Sequence, residues 1–159
     1  MDKDENIEEP FAVLGSSPMR RIVGCSAIYF LGGFILVLTL ASPPALGWLL
    51  LMLGFGGALL FLGEKMRQAT GRQVFLFHDR LEDSSGAVLA MLDDIQTVDR
   101  GALAFKPANG FILKLSARQP RRWAPGLWWS LGRYVGVGGM VNAGPSKFMA
   151  ERIAAMVDR

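Results

Sequence analysis

Apolar residues crowd into one stretch of this chain, Ile22 to Leu62, and thin out on either side of it. Ile22–Ala41 carries no charged residue, and its twenty residues at 1.5 Å each match a hydrocarbon core of about 30 Å. Ser42-Pro43-Pro44-Ala45 then breaks the pattern. Proline continues a helix poorly but suits the first turn of a new one. A second charge-free run follows over Ala45–Gly63, with Trp48 near its start, where an indole suits the membrane interface. The pattern predicts a transmembrane helical hairpin over residues 20–66, with spans at about 22–41 and 45–63.

Past Gly63 the period shortens. Gln73–His78, Arg80–Glu82, Ala87–Met91, Ile95–Val98, Ala102–Phe105, Phe111–Leu115 and Arg133–Val137 read as short strands. Ser84-Ser85-Gly86 and Asn109-Gly110 supply turns between them. From Pro145 the pattern changes again. Met149, Ile153 and Met156 form an apolar stripe, which predicts an amphipathic helix fit to cover a sheet. The predicted fold class is therefore an α+β membrane protein, in which the hairpin precedes a small β-domain over residues 73–159 that a C-terminal helix caps.

Charge orients this arrangement. Residues 1–19 open with Asp2, Asp4, Glu5, Glu8 and Glu9 against Lys3, and read as an acidic flexible tail. From Glu64 onward there are 14 Lys and Arg against 9 Asp and Glu. That excess is too thin for a nucleic-acid partner and suits a surface near anionic lipid. Arg20 and Arg21 precede the first span, and Lys65, Arg67 and Arg72 follow the second, while the connecting turn is uncharged. The positive-inside rule then places both termini in the cytoplasm, with a bacterial inner membrane as the expected location. Cys25 lies before its apolar run rather than after it, so a lipoprotein cleavage box is not expected.

The order of elements, together with Asp99-Arg100-Gly101-Ala102-Leu103-Ala104-Phe105-Lys106-Pro107-Ala108-Asn109-Gly110-Phe111 and Trp123-Ala124-Pro125-Gly126-Leu127-Trp128-Trp129, resembles uncharacterised alphaproteobacterial membrane-anchored proteins with a PH-like domain. The resemblance runs from Ile22 onward and implies a PH-like small β-barrel: two curved sheets closed at one corner by the C-terminal helix. It carries no catalytic motif and no binding residues.

Candidate chemistry is sparse. The single Cys25 and single His78 exclude an internal disulfide and a Cys/His zinc cluster, and no acid, base and nucleophile set is legible, so no metal, cofactor or catalytic residue is expected. Asp93-Asp94 reads as a solvated turn, and Gly136-Val137-Gly138-Gly139 as a sharp bend rather than a phosphate loop. Small residues dot both spans. Gly32 and Gly33 in the first, and Gly54 with Ala58 in the second, are candidates for close helix packing, either within the hairpin or against another membrane protein or a second copy. The segment Arg118–Tyr134 gathers Arg118, Arg121, Arg122, Arg133, Trp123, Trp128 and Trp129, a set suited to lipid headgroups, to a protein partner, or to simple packing of the indoles beneath solvated arginines. The expected function is a non-enzymatic, membrane-anchored interaction module, an accessory or assembly subunit of a membrane complex. The alternative is a transporter or membrane-enzyme component whose site forms only on oligomerisation; charge-free spans oppose the first of these and the missing catalytic set opposes the second.

Overall fold

A computed structural model describes residues 9–100 and 107–157. Strand β1 (Ala12–Gly15) opens the described chain. Helices α1 (Pro18–Ala41) and α2 (Leu46–Ala69) follow, then strands β2 (Gln73–Leu76), β3 (Arg80–Asp83), β4 (Val88–Met91), β5 (Ile95–Asp99), β6 (Phe111–Ala124) and β7 (Trp128–Val137), and helix α3 (Ala143–Val157). The expected strand at Ala102–Phe105 and the acidic residues 1–8 lie outside the described residues.

Each long helix has 24 residues, about 36 Å of rise, which is enough to cross a bilayer. Pro18 sits in the first turn of α1, where its missing N–H costs nothing. At the far end the Ser42 N–H donates to the Leu38 carbonyl (3.1 Å) before Pro43 and Pro44 stop the helix. In their most apolar stretches only 17% of α1 and 11% of α2 is buried, so the described residues leave most of the apolar surface of both helices uncovered. Both start or end beyond the expected spans: α1 begins at Pro18 and α2 continues to Ala69.

The hairpin closes on Gly32 and Gly56. A methyl group on Gly32 would lie 3.1 Å from the Gly56 carbonyl oxygen, and one on Gly56 would lie 2.7 Å from the Leu36 side chain. Nearer the β-strands, Gly63 admits the Tyr29 ring, and the Tyr29 hydroxyl donates to Glu64 (2.7 Å). Arg67 and Gln68 also donate to Glu64, and Arg21 donates to the Arg67 carbonyl. Of the glycines expected at the contact, Gly32 is there. Among the described residues nothing meets Gly33 or Gly54, and Ala58 is exposed, because on α2 the contact stripe runs through Gly56 and Gly63, about half a turn away from Gly54 and Ala58.

The main departure from expectation is at the start of the chain. Residues 12–15 are not tail. They form the edge strand of the first sheet, ordered β1-β2-β3-β4, and β1 pairs antiparallel with β2 from Ala12↔Leu76 to Gly15↔Gln73. The helical hairpin is thus inserted between two neighbouring strands, rather than placed ahead of the β-domain. Ala12 and Leu14 point into the core and Val13 points out, a strand alternation too short to stand out in the sequence.

The second sheet is β5-β6-β7, also antiparallel. Leu14, Val74, Leu76 and Leu81 from the first sheet meet Phe111, Leu113, Leu115, Val135 and Val137 from the second, and Met149, Ala150 and Ile153 of α3 complete the core. The two sheets share no strand pairing among the described residues beyond an isolated bridge between Ser16 and Val141, so the expected closed barrel is not formed. The chain leaves β7 through Gly138 and Gly139, both at positive φ, which agrees with the expected bend there. α3 starts two residues before Pro145.

Two outcomes test this packing. Leu14→Ala, in the segment that looks like a tail, is expected to lower stability by about 2–5 kcal/mol in denaturant unfolding of the β-domain. Gly56→Val is expected to cost about 1–3 kcal/mol by overpacking, whereas Gly54→Val leaves the hairpin intact, as read by thermal unfolding in detergent.

Candidate functional site

The Arg/Trp segment is not a loop. It forms the two arms of a bulged β-hairpin. β6 advances five residues from Lys114 to Gln119 while β7 advances two, from Tyr134 to Gly132. The surplus residues on β6 lift Ser116–Arg121 away from the core, and Gly132, at φ +60, absorbs the turn on β7. The Ser130 hydroxyl donates to the Pro120 carbonyl (2.6 Å) and pins the lifted arm.

The tip of this hairpin returns to the protein. Gly126, at φ +79, lies so close to the end of α2 that a methyl group there would sit 2.9 Å from Thr70 Cγ2. Trp123, Ala124 and Pro125 share a small cleft with Lys65, Gln68, Ala69 and Arg72. The arms therefore stand beside the end of the helical hairpin that joins the sheets.

Trp128 is separated from the others. It is only 4% exposed, and its indole Nε1–H donates to Asp83 Oδ2 (2.9 Å). Its place is the core, which removes it from any surface patch. Asp83 is itself buried and also accepts from the Ser85 N–H (2.7 Å) and the Ser85 hydroxyl. Arg72, in the link between α2 and β2, stands 3.4 Å from it. Burial pushes the Asp83 carboxyl up, but hydrogen bonds led by those from Ser85 outweigh it and hold the group below its ordinary 3.8. The sequence reading missed Asp83. Its only local signal was the Asp-Ser-Ser-Gly turn, in which the following N–H groups are within reach of a carboxylate.

The remaining residues do converge. A groove of about 360 Å³ is lined by Arg121, Arg122, Trp123, Trp129, Ser130 and Leu131. Trp123 and Trp129 are directly opposite each other across the two strands. Trp123 is 65% exposed, and Leu131 and Tyr134 are exposed nearby. Arg118 and Arg133 are exposed on the lifted part of the arms, outside the groove. Arg122 is half-buried, donates to the Val88 carbonyl (2.7 Å) and lies over the Trp128 ring. Its Nε is buried without an acceptor. Arg118, Arg121, Arg122 and Arg133 form no ion pair with a carboxylate among the described residues.

Elsewhere, His78 packs edge-on against Phe11 (4.3 Å between centroids), and Asp94 accepts from the Ser116 hydroxyl at a one-turn 3-10 helix. Among the described residues no cluster of His, Cys, Asp and Glu could hold a metal ion. No protein-family model, curated protein or solved structure matches the chain.

Because Asp83 titrates lower folded than unfolded, the unfolded chain binds more protons as pH falls. The stability this group supplies is present above about pH 4 and is lost as pH drops through its folded value. Acid unfolding followed by tryptophan fluorescence should show this loss, and Asp83→Ala should remove that component while costing about 2–3 kcal/mol at neutral pH.

Proposed function

We propose that this protein is a non-enzymatic, membrane-anchored interaction module, working as an accessory or assembly subunit in a bacterial inner membrane. The hairpin α1–α2 spans the bilayer, both chain ends lie on the cytoplasmic side, and the β-domain is PH-like. The four-plus-three strand arrangement followed by one helix supports the PH-like reading. Arg20, Arg21, Lys65 and Arg67 at one end of the helices, and the uncharged Ser42–Ala45 turn at the other, support the orientation.

The observation that carries the proposal is the groove of Arg121, Arg122, Trp123 and Trp129 beside the end of α2. Indole and guanidinium groups left exposed together form a recurring composition of interaction surfaces. In this orientation the groove faces the headgroup layer and the juxtamembrane parts of neighbouring proteins. Anionic lipid and a membrane-protein partner are the two occupants this position suits. The helix faces carrying Gly33, Gly54 and Ala58, which the hairpin itself leaves open, supply a second surface for another span or a second copy.

The test is a photo-crosslinking residue placed at Trp123 and, as a control, at Phe148 on the exposed face of α3, each in native membranes. Adducts to lipid or to a membrane protein are expected at position 123. Adducts at 148 with none at 123 overturn the proposal.

A further inference from the structure

We infer that the groove between the arms of the β6–β7 hairpin takes the phosphate of an anionic phospholipid. This deepens the reading of that hairpin as the interaction element and rests on it.

Three observations converge. The charge is uncompensated: Arg121 and Arg122 have no carboxylate partner among the described residues. Arg122 adds a charge that the chain satisfies only in part, since its buried Nε has no acceptor among the described residues. The guanidinium is also held in place, because its Nη2 donates to the Val88 carbonyl (2.7 Å) and its plane lies by the Trp128 ring. An arginine fixed this way loses little freedom on gripping a phosphate, and its forked donors match phosphate geometry.

The walls choose the source of that phosphate. Trp123, Trp129 and Leu131 give the groove an apolar rim, which a free inorganic ion cannot use. A phospholipid can, because its glycerol and upper acyl carbons lie next to the phosphate, and tryptophan favours that boundary. The volume, about 360 Å³, falls at the small end of ligand sites and suits a headgroup rather than a folded partner. Trp123 also shares its neighbouring cleft with Lys65, Gln68 and Arg72, so the groove lies at the level where α2 meets the β-domain. An acidic peptide would match the charge, but it would leave the exposed Trp123 indole no matching acyl boundary.

Native mass spectrometry of the full chain released from nanodiscs of equal phosphatidylglycerol and phosphatidylcholine tests this. The wild type should retain phosphatidylglycerol over phosphatidylcholine by about tenfold. The double variant Arg121→Gln, Trp123→Ala should bring that ratio to about twofold or less, with the melting curve by circular dichroism unchanged, since both side chains are exposed. Arg121→Gln alone should give an intermediate ratio. Equal retention of the two lipids by the wild type overturns the inference, as does full preference in the double variant. Loss of the preference on adding inorganic phosphate assigns the site to the free ion and also overturns it. If the lipid preference is absent while position 123 still cross-links to a membrane protein, the inference falls and the interaction-module reading stands.

Discussion

Four residue pairs between β1 and β2 hold the whole arrangement together. They close a sheet across an insertion of two 24-residue apolar helices. Both ends of the helical hairpin are therefore fixed to one rigid edge. Ser17 donates to the Met140 carbonyl as the chain enters α1, and Arg72 donates to the Ala69 carbonyl as it leaves α2. A single-strand linker would let the domain swing, but a paired one does not. What lies near the ends of the helices is then determined by the sheet and not by chance encounter.

The β6–β7 hairpin benefits most from this fixing. Its tip is pressed against Thr70 by Gly126 and tied down by Trp128, whose indole reaches Asp83 next to Arg72, while its base is held in the core by Phe111 and Val137. The part between is pushed outward by the surplus residues of β6. One strand thus contributes to the core with Phe111, Leu113 and Leu115, and to the surface with Arg121 and Trp123. The buried Asp83–Trp128 bond and the Trp123–Trp129 pair lie next to each other near the tip of the same hairpin, on its two faces: one anchors it, the other lines the groove.

The helical contact follows a similar division. Gly32, Gly56 and Gly63 are used inside the hairpin, where a backbone carbonyl or a side chain occupies the place of a Cβ. Gly33, Gly54 and Gly57 meet nothing among the described residues. Composition alone does not separate the two sets, because adjacent helical residues point about 100° apart and only the partner helix decides which direction is occupied.

The sequence by itself determined the long-range pattern: two charge-free runs, a proline break, a strand-rich stretch and a last amphipathic helix. Each rests on a local property, either run length or a period of two or 3.6 residues, and each reappears in the structure, although β6 runs nine residues past the expected Leu115 to Ala124 and β7 starts five before Arg133. The Arg/Trp cluster was legible too, since its residues are close in the chain. The tertiary structure alone decided the rest. That Ala12–Gly15 is a strand depends on β2, some 60 residues away, since four residues of alternation carry too little local signal. That Trp128 is buried while Trp123 is exposed depends on the bulges of β6 and on the carboxylate of Asp83. That Gly56 and not Gly54 carries the helix contact depends on a rotation no local pattern specifies. In each case the deciding partner is distant in sequence, and only folding brings it within reach.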